Sequence, residues 1–167
     1  MSARGFTIIE AVIMIAVVGI LSVITVIVIS GSISNIQLGS AGDKLAADLR
    51  YAQSMAAGEG QWYGISFEVN PTNRYTLYTT TGTVDTVVND PNQNGHSFIV
   101  YINTLFNVTL NATIEGGRKV EFSPLGTPYA DKNNPTGISS EGIVTLTRGT
   151  SGRTVRITPN TGRIYSQ

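Results

Sequence analysis

"RGFTIIEAVIMIAVVGILSVITVIVIS", residues 4–30, is the stretch on which the reading of this chain turns. From Ala11 to Ile29 nothing is charged, and only Gly19, Ser22 and Thr25 interrupt the apolar run. As a helix these nineteen residues extend about 28 Å, which with their flanks covers a bilayer core of ~30 Å. One carboxylate, Glu10, stands near the start. An ionisable group costs about 2.5–3.5 kcal/mol at the centre of such a span and less near its end, so Glu10 calls for an explanation. A cleaved signal peptide fits poorly. The basic region is Arg4 alone, the run exceeds the usual ~7–15 residues, and no clean small-x-small cleavage site follows. A signal anchor accounts for the length but not for Glu10.

Composition narrows the rest. The 167 residues suit one domain with an appendage. Eleven basic and eleven acidic side chains cancel, which excludes bulk attraction to nucleic acid or anionic lipid. There is no cysteine, so neither a disulfide-stapled fold nor a thiolate metal site is available.

The order of residues at the start resembles a known leader. "MSARG" followed by "FTIIE" is similar to the class III leader of type IV pilins and type II secretion pseudopilins. The resemblance implies that a prepilin peptidase cuts after Gly5, that the new N-terminal Phe6 is methylated on its amine, and that Glu10 is the family's assembly glutamate. The freed α-amino group has an ordinary pKa of about 7.7–8.0. In a filament of side-by-side apolar helices, Glu10 of an adjacent subunit would neutralise that amine. Such a buried pair adds little net stability but discriminates between registers. Phe6 and Glu10 are also i, i+4 neighbours, and a carboxylate near a helix N-terminus is favoured by the dipole, so Glu10 has a local role available too.

Beyond the apolar run, Leu38, Ala41, Leu45, Leu49, Ala52 and Ala56 recur every three or four residues, which predicts that the helix continues with one apolar stripe. Asp43, Lys44 and Asp48 are expected in solvent, and Gly58 and Gly60 suit a stop. Gly31, Gly39 and Gly42 each weaken the helix by ~1 kcal/mol, which predicts bending there. From Gln61 the texture changes to short β-branched or aromatic runs such as "WYGISFEV", "RYTLYTT", "SFIVYI", "NVTLNATI", "GIVTLTR" and "RTVRIT", punctuated by Gly, Pro, Asn and Asp. The fold class is α+β: a long N-terminal hydrophobic helix as stalk and a mostly antiparallel β head, the pilin-like lollipop. The expected division is leader 1–5, membrane and filament-core helix 6–30, amphipathic half-helix 31–58 and β head 59–167. "LAADLRYAQSMAAGEGQWYGISFE", "VEFSPLGTP" and "GRTVRITPNTGRIY" resemble the H-type minor pseudopilins and FimT-like minor pilins.

The head offers little chemistry. His96 is the sole histidine, and no GxSxG turn exists. Asp90, Asn92 and Asn94 before Gly95 match the front of an EF-hand loop, but its twelfth position is Tyr101, and a plain hairpin turn explains the residues. Asn107 and Asn111 open Asn-x-Thr sequons within apparent strands. No catalytic set, metal or cofactor is expected. Residues 59–117 carry one basic and five acidic side chains; residues 118–167 carry seven basic and three acidic. Some FimT-like pilins are thought to take DNA on a C-terminal Gly-Arg-x-Arg element, of which Gly162-Arg163-Ile164-Tyr165 lacks the second arginine. Arg153, Arg163 and Tyr165 would make a DNA contact if their strands are neighbours; a solvated sheet edge is the simpler account.

The reading is therefore a non-enzymatic filament subunit, a minor pseudopilin of a type II secretion pseudopilus. Its partners would be prepilin peptidase, other pseudopilin or pilin subunits through the helix, and the bacterial inner membrane before assembly, with the head outside the cytoplasm. The alternative is a FimT-like minor type IV pilin serving DNA uptake or adhesion.

Overall fold

The computed structural model describes residues 7–167, with the backbone alone for residues 23–32. The protein is α+β, an N-terminal helix followed by an antiparallel β head, in agreement with the expected fold class. Helix α1 (Ile8–Glu59) runs through two compact units, residues 1–36 and 37–167.

Over residues 8–22 of α1 the large apolar side chains are exposed: Ile8 at 86%, Ile13 at 56%, Val18 at 60%. Among the described residues no helix is long and apolar enough to cross a membrane. Of the span expected at 6–30, Phe6 and the side chains of residues 23–30 lie outside the described residues, as do Gly5 and the rest of the leader.

In the second unit the stripe Leu38, Ala41, Leu45, Leu49, Ala52 and Ala56 is buried. The helix ends as Gly60 turns to φ +66° and its N–H closes on the Ala56 carbonyl at 3.1 Å, a conformation that glycine adopts without a Cβ penalty. The strands follow in chain order: β1 (Tyr63–Glu68), β2 (Arg74–Thr80), β3 (Asp85–Val87), β4 (Ile99–Tyr101), then a short helix α2 (Ile102–Phe106), then β5 (Thr109–Thr113), β6 (Lys119–Phe122), β7 (Pro128–Tyr129), β8 (Gly142–Arg148), β9 (Ser151–Ile157) and β10 (Ile164–Ser166). One sheet has the order β3-β2-β1-β6-β7, with β4 also paired to β2; the other is β10-β9-β8-β5. All pairs are antiparallel. Alternate residues face inward, so Ile65, Leu77 and Phe122 of the first sheet and Leu146, Val155 and Ile157 of the second join the helix stripe in one buried cluster. Asn73 links the sheets: its side-chain oxygen accepts the Leu110 N–H at 2.9 Å and its carbonyl accepts the Ile102 N–H at 3.0 Å.

Three expectations are corrected. "SFIVYI" is not one strand, because pairing with β2 ends at Tyr101 and the chain turns into α2. Asn107 closes that helix with φ +53° instead of lying in a strand. Asp48 is not in solvent. It is 7% exposed and accepts hydrogen bonds from Lys44 Nζ at 2.7 Å and from the Tyr75 hydroxyl. Burial, then the Asp48 carboxylate, pushes the Tyr75 phenol well above its ordinary range.

A second buried carboxylate, Glu121 on β6, is 2% exposed and is held by the Tyr78 hydroxyl at 2.7 Å, Lys119 Nζ at 3.0 Å and the Lys132 N–H. Tyr78 reaches it only because Gly64 stands between them in the register; a Cβ on Gly64 would lie 2.5 Å from the tyrosine ring.

Candidate functional site

The start of α1 is a capping box. The Thr7 hydroxyl oxygen accepts the Glu10 N–H at 3.3 Å, and Glu10 Oε2 accepts the Thr7 N–H at 3.0 Å and the Thr7 hydroxyl at 2.9 Å. Two N–H groups that the helix cannot satisfy internally are thereby satisfied. The local partner of Glu10 is thus Thr7. The sequence carries the signal for it, Thr-x-x-Glu ahead of an apolar run, beside the Phe6 spacing. Only Oε2 is used; Oε1 makes no hydrogen bond among the described residues. The site is an exposed carboxylate, oriented by its own helix start, beside a run of exposed aliphatic side chains.

The C-terminal strands place the other candidates. Arg153 on β9 lies across α1 and donates to Asp43 Oδ1 at 3.2 Å and to the Ser166 hydroxyl at 3.1 Å. Its stem passes so close to Gly42 that a Cβ there would sit 2.8 Å from its Cδ. Gly42 therefore makes room for an arginine, and α1 runs unbroken through it and Gly39. In the β9–β10 register Tyr165 pairs with Arg156, and both hold Glu141, at 2.7 Å and 2.6 Å. The Tyr165 and Arg156 hydrogen bonds keep the Glu141 carboxyl below its ordinary range, and the same bond raises the Tyr165 phenol. Arg163 lies with its guanidinium 5.6 Å from the centre of the Tyr165 ring, exposed and without an ion pair among the described residues. The structure thus brings Arg163 and Tyr165 together. Arg153 is set apart from them, near the other end of β9 and against Asp43.

The polar loop holds no metal grouping among the described residues. Asp90 accepts the Asn92 N–H at 2.8 Å, an Asx turn, and His96 is an exposed turn residue.

Residues 41–162 match the family described as "Type II transport protein GspH". The chain belongs to that family. Membership puts it among pseudopilus and pilus subunits, a structural family. No curated protein sequence matches it. Several solved structures share its fold. The type IV minor pilin FimU of Pseudomonas aeruginosa is 17% identical with a TM-score of 0.53, over 80% of this chain and 90% of that one. The minor pseudopilin EpsH from the type 2 secretion system of Vibrio cholerae is 11% identical with a TM-score of 0.57, over 78% and 96%.

Proposed function

We propose that the protein is a minor pseudopilin of a type II secretion pseudopilus. It is held in the bacterial inner membrane by the start of α1, cut after Gly5 by prepilin peptidase, methylated on Phe6 and assembled through the helix with its head outside the cytoplasm. The observation that carries this reading is the exposed carboxylate of Glu10, oriented by its Thr7 bonds at the head of an apolar helix. A neighbouring subunit's N-terminal amine is the cation that such a carboxylate would take, and the pair would set the axial register. The protein acts by assembly and performs no catalysis.

A second reading, a minor pilin that contacts DNA, rests on the exposed Arg163 over Tyr165. Against it, Arg153 and Arg156 are already neutralised by Asp43 and Glu141.

Two substitutions separate the local role of Glu10 from the assembly role. Glu10→Gln keeps the capping geometry and loses the charge; Thr7→Val keeps the charge and loses the cap. Assembly from membranes should fall at least about ten-fold in Glu10→Gln, matching the loss of ~1.4 kcal/mol or more, and much less in Thr7→Val. Equal loss in both would reduce Glu10 to a helix cap. Intact mass and N-terminal sequencing should find a chain starting at methylated Phe6, abolished by Gly5→Ala; an uncut chain would defeat the processing step. DNA binding by the full chain that weakens with salt and with Arg163→Ala would favour the second reading.

A further inference from the structure

The polar loop between β3 and β4 carries the one Asn-Gly step in the sequence, Asn94-Gly95, and the assembly reading makes no use of it. Both residues are exposed, at the centre of a turn that the His96 N–H closes on the Gln93 carbonyl at 3.0 Å. Gly95 turns with φ +83°, and a Cβ on it would meet nothing within 4 Å. Its N–H and the Asn94 carboxamide form no hydrogen bond among the described residues. A backbone N–H is ordinarily tied into a ladder, a turn or a cap; this one has no such bond to give up before it reacts.

The reaction open to it lies within the chain. The Gly95 nitrogen is bonded to the main-chain carbonyl carbon of Asn94, so its attack on Asn94 Cγ closes a five-membered ring. Tethering of this kind replaces an encounter by a rotation. Glycine matters because the side chain of any other residue would crowd the attacking nitrogen. As the Gly95 nitrogen loses its proton and bonds to Cγ, the Cγ–Nδ2 bond breaks, and Nδ2 leaves as ammonia with a proton from water. Water then opens the cyclic imide. Opening at Cγ gives aspartate; opening at the main-chain carbonyl gives isoaspartate. One water enters, one ammonia leaves, and nothing is oxidised or reduced.

Other asparagines lack one requirement or another. Asn73 is buried, with its side chain bonded to the Leu110 N–H and the Pro71 carbonyl. Asn133 donates to the Gly82 carbonyl, and Asn134 precedes Pro135, which has no N–H. Asn92 and Asn160 are exposed, but the N–H groups that follow them, of Gln93 and Thr161, are bonded to the Asp90 and Pro159 carbonyls.

We propose that Asn94 deamidates spontaneously in the folded protein, so that this turn ages from a neutral amide to a carboxylate. The preceding Gln93, with Asp90, lines a cavity of about 230 Å³ against β4 and α2. Lys44 on the same wall is already paired with Asp48, so the new charge adds to the acidity of the loop. Aspartate leaves the main chain as it was. Isoaspartate lengthens it by one carbon inside the ring that the His96–Gln93 bond closes, and that bond is lost, while the Asn89–Ser97 bridge keeps the base of the loop in place. The step needs only water, and it holds whether or not the chain serves in a filament.

The test holds the full-length protein in detergent at neutral and at mildly alkaline pH and follows it over days by digestion and fragment mass. The mass gain of an amide-to-acid exchange should fall on Asn94, at least about ten-fold faster than on Asn92 or Asn160. The rate should rise with hydroxide, because the nitrogen attacks as its anion, and aspartate and isoaspartate forms should separate on a column. Asn94→Gln keeps an amide but would need a six-membered ring, and it should lose the gain. His96 is the sole histidine, so a second imidazole signal in proton NMR should grow in step with the isoaspartate form. No gain at Asn94 in the folded protein overturns the proposal. So does a gain spread evenly over Asn92, Asn94 and Asn160, or one that alkali does not quicken. A single unshifted His96 signal in fully converted isoaspartate protein overturns the loss of the turn.

Discussion

Two carboxylates on α1, Glu10 and Asp48, are handled in opposite ways. Glu10 is exposed, and among the described residues its side chain bonds Thr7, three residues away. Asp48 is buried and held by Lys44 from its own helix and by Tyr75 from β2. The apolar side chains around them follow suit. In the first unit Ile8, Ile13 and Val18 are more than half exposed; in the second, Leu45 and Leu49 are at 0%. One helix therefore serves two purposes. Its second half completes a core that one chain can form alone. Its first half presents an apolar surface and an oriented acid that a single chain leaves uncovered, and an exposed patch of that kind marks an interaction surface. Stability of the head and assembly of the filament should thus respond to different substitutions.

The largest test of that separation is Tyr75→Ala. The ring is fully buried, and its removal leaves a cavity and takes one donor from Asp48. A loss of about 3–5 kcal/mol is expected, read as the shift in denaturant midpoint of the full chain in detergent. Ile13→Ala, at a side chain 56% exposed, should move the same midpoint by no more than about 0.5 kcal/mol while impairing assembly. Equal losses would mean that the two halves of α1 are not separable.

A smaller effect sharpens the account of Arg153. Replacing a helix-interior glycine by alanine ordinarily gains about 1 kcal/mol. Gly42→Ala should gain far less, because the new Cβ displaces the arginine stem and strains its bonds to Asp43 and Ser166. With Arg153→Ala already in place the full gain should return, a coupling of about 1 kcal/mol in a double-mutant cycle. Additive effects would show that the glycine serves the helix and not the arginine.

These residues also mark how far the chain can be read unaided. The stripe from Leu38 to Ala56 and the β-branched runs are local periodicities, and they predicted the helix and the sheets. The Thr7–Glu10 cap is equally local, a Thr-x-x-Glu signal that competes with the i, i+4 spacing of Phe6 and Glu10. Arg153 differs in kind. Its partner Asp43 is 110 residues away, and no spacing rule pairs them. Asp48 looked like a solvent residue because only a tyrosine from another element reveals that it is buried and satisfied. The α2 turn was hidden because Ile102 continues the apolar run of β4, and it is the sheet pairing that ends, not the sequence texture.

The smallest expected effect concerns Glu141, which precedes β8 and is bonded by Arg156 of β9 and Tyr165 of the edge strand β10. Glu141 accepts from the Tyr165 hydroxyl and from Arg156, and these bonds hold its carboxyl below the ordinary value of 4.5. A carboxyl depressed in the folded state binds fewer protons there than in the unfolded chain. Its stabilising contribution is therefore complete above pH 4.5 and is lost as the pH falls through the lower, folded value. The thermal midpoint of the wild type should decline as acid is added below that point, and Glu141→Gln should remove part of the decline while leaving the slope above pH 6 unchanged. The pair is still partly open to solvent, so added salt should shrink the difference further. A Glu141→Gln profile that overlays the wild type at every pH would mean that the edge is held by its backbone ladder alone, with Arg156 and Tyr165 free to serve some other contact.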